Sequence, residues 1–134
     1  MSSILIDTSV WIDFFNKKVL TEQVKILDYL IEDEFNICIC PIIYQEILQG
    51  IRNDEIYLEI KEYLNSMAIL KDDIMKVSNL AIDIYRNSRK SGITIRKSND
   101  CLIASYAIIN DIPILHNDRD FEFISQFTNL KIAY

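Results

Sequence analysis

Four acids in this chain occupy positions where acids are expensive. They are Asp7, Glu46, Asp100 and Asp118, each set against strongly apolar neighbours. Asp7 follows Ile4-Leu5-Ile6, a run that reads as a short strand buried on both faces, and Val10, Trp11, Phe14 and Phe15 recur behind it at helical spacing. A capping role alone accounts for an acid at this point, but not for one wedged between two apolar segments. Asp118 repeats the pattern after Ile114-Leu115. Glu46 lies on a helix starting at Pro41. With Ile42 at 0° and about 100° per residue, it falls near 40°, between Ile42 and Ile43 and inside the apolar stripe. Burying a lone carboxylate there costs several kcal/mol unless it is protonated, paired or bound to metal; a side chain at the stripe's edge, reaching out to water, is the other account. Asp100 opens a helix that is apolar nearly all round, on the face of Ala104 and Ala107. Favourable charge placement at a helix start also explains an acid there. Gathered in one crevice, four carboxylates raise one another's pKa values and call for cations. Oxygen-only donors select Mg²⁺ or Mn²⁺, and such ions suit phosphodiester hydrolysis.

The elements that must position these acids follow from periodicity. Thr8 and Ser9 read as N-cap residues of the first helix, Thr21 to Glu34 as a solvent-facing helix, and Asn36 to Cys40 as a second strand. Pro41 to about Arg52 forms the Glu46 helix, on which Gln45 and Gln49 look solvated. Residues 55–66 make another amphipathic helix, and Met67 to Leu70 a short strand. A long helix then runs from Asp72 or Asp73 to the break at Gly92. Ser98 reads as the cap of the buried helix carrying Asp100; Phe121 to Phe127 is a short apolar helix, and Leu130 to Ala133 an edge strand. The expectation is α/β: a three-layer α/β/α arrangement with a short, mainly parallel central sheet flanked by helices, all in one domain over residues 1–134. In such a sheet, ligands bind outside the strands' carboxyl ends.

Bulk properties narrow the field. Half the 134 residues are hydrophobic and there are only two Gly and two Pro, so linkers and low-complexity segments have no room. Short apolar runs and the lack of a basic leader point to a cytoplasmic protein without a membrane segment. Cys38, Cys40 and Cys101 lack metal-ligand spacing and read as buried, reduced thiols. His116, the single histidine, reads as a packed strand-end residue. A net charge of −6 argues against a polyanionic partner, but residues 86–97 hold Arg86, Arg89, Lys90, Arg96 and Lys97 with no acid among them. That island can meet phosphates locally; a solvated helix end is the competing account.

The Ile-Asp-Thr-Ser start, the helical Glu46, Asn-Asp-Cys-Leu-Ile-Ala around Asp100 and Asn-Asp-Arg-Asp-Phe around Asp118 together resemble a PIN domain, specifically the VapC-type ribonuclease toxins of toxin–antitoxin pairs. The resemblance spans the whole chain. It implies a metal-dependent endoribonuclease with Asp7, Glu46, Asp100 and Asp118 as catalytic and metal-binding acids, served by one or two Mg²⁺ or Mn²⁺ ions. Thr8 and Ser9 would orient the carboxylates, while Asp120 would hold water or the helix start in place of metal. It further implies a homodimer and a separately encoded VapB-type antitoxin laid over the active-site groove. The basic island with Arg119 is then the candidate RNA contact. A haloacid-dehalogenase-type phosphatase needs an acid where Ser9 stands, and a receiver domain needs an acidic pair and a lysine arrangement that are missing. A catalytically silent PIN-like binding module, or a PIN nuclease of RNA processing without an antitoxin, are the alternatives within the fold.

Overall fold

The runs Ile4-Leu5-Ile6 and Ile37-Cys38-Ile39 bury every side chain, which only the middle of a sheet covered on both faces allows. The computed structural model describes residues 2–134. In chain order its elements are β1 (Ser3–Ile6), α1 (Thr8–Phe15), α2 (Glu22–Glu32), β2 (Asn36–Ile39), α3 (Pro41–Gln49), α4 (Asp54–Asn65), β3 (Ala68–Ile69), α5 (Ile74–Lys90), α6 (Ser98–Ile109), β4 (Ile114–Leu115) and α7 (Arg119–Ser125). Among the described residues the strands form one sheet in the order β3-β2-β1-β4, every pairing parallel. The α/β architecture expected from the sequence is thus present, with helices flanking the sheet.

The order of the strands decides where a site can form. Moving from β1 to β2 to β3, the sheet grows outward in one direction, and β4 is then added on the other side of β1. Between β1 and β4 the winding reverses, and crossovers leave a crevice at the carboxyl ends of these two strands. Asp7 follows β1 directly, and its N–H donates to the Leu115 carbonyl at 2.9 Å, joining the two strand ends. Asp118 lies three residues beyond Leu115. The switch point therefore carries both strand-end acids.

A hydrophobic core fills the space beneath. It joins β1 and β2 to Trp11, Leu27, Leu30, Ile43, Leu64, Ile84, Ile103 and Phe121. Trp11 stacks on Phe15 at 5.6 Å between centroids and meets Phe14 and Tyr63 edge-on, which fixes α1 and hence the acid at its start. α6 packs along α5 and touches α3 and α7, so its first turn is held from several sides. The three cysteines are free and buried. Among the described residues, no helix is long and apolar enough to cross a membrane.

Several local expectations are corrected. Thr8 and Ser9 are the first helical residues of α1, and Asp7 itself is the N-cap, because its Oδ2 accepts the Ser9 N–H. Likewise Lys97, not Ser98, occupies the N-cap position of α6 and gives it no side-chain cap bond. α3 stops at Gln49, short of Arg52. The expected strand at Leu130 to Ala133 reduces to a single bridge of Ile132 to Ile114, since β4 is itself only two residues long.

Candidate active site

Asp7 is 3% exposed at the switch point. Its Oδ2 accepts from the Ser9 N–H at 3.0 Å and the Ser9 hydroxyl at 2.6 Å, while its Oδ1 is buried without a partner. Ser9 is thereby shared: its oxygen also accepts the Asn117 N–H at 2.9 Å, tying the start of α1 to the segment after β4. Burial is the main cause that raises the Asp7 pKa, and the charge of Glu46 adds to it against the opposing pull of the Ser9 bonds. Glu46, half-buried on α3, accepts the Thr8 hydroxyl at 2.7 Å. Thr8 and Ser9 thus orient one acid each.

Asp100 is 4% exposed in the first turn of α6, and its Oδ2 also lacks a partner. Burial first, then the charges of Asp7 and Asp118, push its carboxyl up to about 8. Asp118 caps α7 through the Asp120 N–H at 3.0 Å, and its own N–H donates to Nδ1 of His116 at 3.0 Å. His116 is buried against Phe121, with Nε2 at 3.2 Å from Glu122, so the packed strand-end histidine is as expected. Because Nδ1 accepts from the main chain, Nε2 carries the proton and donates to Glu122. Burial pushes the Asp118 carboxyl up. The bond from Lys97, the Asp120 N–H and the Arg96 charge outweigh that and hold it below the usual carboxylate range.

Carboxylate oxygens of Asp100, Asp118 and Asp120 all lie within 4.8 Å of one another. Asp120, expected beside the cluster, is inside it and fully buried; Oδ2 takes the Lys97 N–H at 3.2 Å and Oδ1 has no hydrogen bond. A cleft of about 270 Å³ is lined by Asp7, Thr8, Ser9, Ile12, Glu46, Gln49, Lys97 and Asp100. Asp100 belongs to both groupings and joins them. Gln49, exposed as the sequence reading has it, also lines this wall. Its i+3 spacing from Glu46 is the signal that would have placed it there. Ile12 is the other wall residue that sequence reasoning passed over.

The basic island divides. Lys97 Nζ lies 2.5 Å from Asp118 Oδ2, and Arg96 reaches Asp118 at 3.4 Å and Asp120 at 3.8 Å. Arg86, Arg89 and Lys90 stay exposed on the last turns of α5, Arg89 resting over the Tyr85 ring, and Arg119 is exposed at the start of α7.

The donor set is suited to a hard divalent cation. Buried oxygens of Asp7, Asp100 and Asp120 lack hydrogen-bond donors, and such atoms are costly unless a cation or proton meets them. Among the described residues, no nitrogen or sulfur ligand joins the three-acid cluster, an oxygen-only set of the kind hard divalent cations take.

Comparison with known proteins agrees with this geometry. The model of the PIN domain family matches residues 4–125. Ribonuclease VapC11 of Mycobacterium tuberculosis is 37% identical over 130 residues, covering 97% of each chain, and a VapC ribonuclease of Mycobacterium bovis matches equally. Among solved structures, VapBC2 of Rickettsia felis superposes with a TM-score of 0.76 at 18% identity, over 98% of this chain and 97% of that one. VapBC of Salmonella typhimurium gives 0.75 at 21% identity, over 99% and 98%.

Proposed function

The chain belongs to the PIN domain family, and on that premise we propose that it is a divalent-metal-dependent endoribonuclease, the toxin of a toxin–antitoxin pair. The observation that carries the reading is the buried acid cluster at the sheet's switch point, with three carboxylates inside 4.8 Å. Relatives at 37% identity that are named ribonucleases support RNA as the substrate. In this reading the chain works as a single nuclease domain in the cytoplasm.

Asp7, Glu46, Asp100 and Asp118 would hold one or two Mg²⁺ or Mn²⁺ ions, with Asp120 Oδ1, which accepts no hydrogen bond and lies 3.8 Å from Arg96, a further donor. The bound ion supplies activation of water and stabilisation of charge at the scissile phosphate. The chain's own residues do the rest. Ser9 fixes the rotamer of Asp7, Thr8 that of Glu46, and His116 the main chain at Asp118. Arg86, Arg89, Lys90 and Arg119 are the cations available to the RNA backbone, and Arg96 and Lys97 flank the acids themselves.

Partners follow from the surface. An apolar groove of about 220 Å³, walled by Phe15, Ile47, Ile51 and Ile60, shares Ile12 and Glu46 with the acid cleft. A VapB-type antitoxin segment laid there would cover the acids. Between α5 and α6, Ile82 and Leu102 line a second apolar groove, a surface suited to the homodimer.

Purified protein freed of antitoxin, given Mn²⁺ or Mg²⁺ and cellular RNA, is expected to produce discrete fragments, and EDTA to stop it. RNA bound but left whole with either ion would instead support a silent binding module. Ser9→Ala removes the hydroxyl shared by Asp7 and Asn117. It should lower the cleavage rate about 10–100-fold while the fold persists by circular dichroism; an unchanged rate would remove Ser9 from the site.

A further inference from the structure

The loop between α5 and α6 is built to place one ammonium group. Gly92 turns the chain at φ +83°, and Ile95, 3% exposed, anchors it in the core. The Lys97 N–H then donates to Asp120 Oδ2, and the Lys97 carbonyl accepts the Asp100 N–H at 2.9 Å. The main chain at Lys97 is therefore clamped by two of the clustered acids. Its side chain is not: 55% exposed, it crosses to Asp118 and also stands on the cleft wall with Asp7, Glu46 and Asp100. A flexible four-carbon stem on a fixed Cα can leave one partner without disturbing the backbone.

We propose that Lys97 is a displaceable counter-ion of the acid cluster: its ammonium group neutralises Asp118 in the metal-free protein and yields that carboxylate when a divalent cation binds. The inference rests on the metal-binding reading given above. An ammonium at hydrogen-bond distance competes directly for the lone pairs a cation needs. It also offsets part of the repulsion that carboxylates at such distances exert on one another. Arg96, farther from Asp118 and Asp120 at 3.4 and 3.8 Å, is the weaker contributor. Displacement leaves a free cation on the cleft wall only after the ion is in place, so attraction for a phosphate rises with loading.

The test is calorimetric titration of MnCl₂ into the EDTA-stripped full chain. Lys97→Met should bind Mn²⁺ on the order of tenfold tighter than wild type, Lys97→Arg within about twofold of it. Arg119→Gln removes an exposed charge beside Asp118 in sequence and controls for the general field; it should change affinity by less than about threefold. In wild-type protein labelled with ¹³C-lysine, the Cε signal of Lys97 should move on adding Mg²⁺, a readout that does not depend on any variant folding. Equal gains for Lys97→Met and Arg119→Gln, or a Lys97 signal that Mg²⁺ leaves in place, would overturn displacement while leaving the metal site standing. Absence of any Mn²⁺ uptake by wild type would overturn the metal reading and this inference with it.

Discussion

Asp100→Asn is expected to reduce RNA cleavage by about a thousandfold or more and, at the same time, to make the metal-free protein more stable at pH 8.5. The loss follows from position. Asp100 joins the acid cleft to the three-acid cluster, and its Oδ2 has no protein donor to satisfy it. An amide of the same shape offers one weaker oxygen and an N–H₂ group that repels a cation, and removing such an electrostatic element commonly costs about 4 kcal/mol of barrier. The gain follows from charge. With its pKa pushed up to about 8 by burial and by Asp7 and Asp118, Asp100 is ionised at pH 8.5 in a place that penalises it. Asparagine carries no such penalty. At pH 5.5 the folded protein keeps that carboxyl protonated while the unfolded chain has ionised it, so the variant's stability gain should be present but smaller than at pH 8.5. Thermal melts in EDTA at both pH values, beside a cleavage assay, separate the two effects. A variant that lost activity by misfolding would melt lower at both pH values; one that kept cleaving would remove Asp100 from the chemistry.

Metal and pH should trade places in setting stability. Asp7 and Asp100 have pKa values raised above those of the unfolded chain, so the folded state holds more protons than the unfolded state as pH rises from about 4. The contribution of Asp100 is complete below about pH 4 and is lost as pH rises through about 8, and that of Asp7 runs in the same direction. Asp118, lowered by Lys97 and Arg96 against its burial, works oppositely: its contribution is present above about pH 4 and is lost as pH falls further. The metal-free protein should therefore be more stable at pH 5.5 than at pH 8.5. Divalent cations bind the deprotonated acids, so their stabilising effect grows with pH. At a hundredfold excess over its dissociation constant an ion adds about 2.7 kcal/mol, on the order of 10 °C in melting temperature for a domain of this size. Melts with Mn²⁺ and with EDTA across this range check it. A shift from Mn²⁺ that was larger at pH 5.5 than at pH 8.5 would contradict proton competition at these acids.

Much of this was legible before any coordinates. Ile4-Leu5-Ile6 before Asp7, and Ile114-Leu115 before Asp118, announce buried strands ending in acids, because continuous aliphatic runs this short are stable only in a covered parallel sheet. Glu46 inside an apolar stripe announced an inward-facing carboxylate, and the structure turns it to Thr8 in the cleft. Helix starts were misjudged by one residue at Asp7 and Lys97. Neighbouring polar residues compete as caps, and the backbone torsions that decide between them depend on how the preceding strand or loop is held.

The sequence alone determined which residue types end each core strand, and so the α/β class, the family resemblance and the four acids worth watching. These are local matters of period and burial, written in neighbours along the chain. Tertiary structure alone decided that Asp120 joins Asp100 and Asp118, that Gln49 and Ile12 wall the cleft, and that Lys97 and Arg96 turn onto the acids. Such pairings join residues brought together from different elements, and those that involve Asp118 and Asp120 exist because β4 is added beside β1 instead of beyond β3. Strand order is a collective result of packing, with no periodicity of its own in the chain, so distances across the switch point appear only once the sheet is assembled.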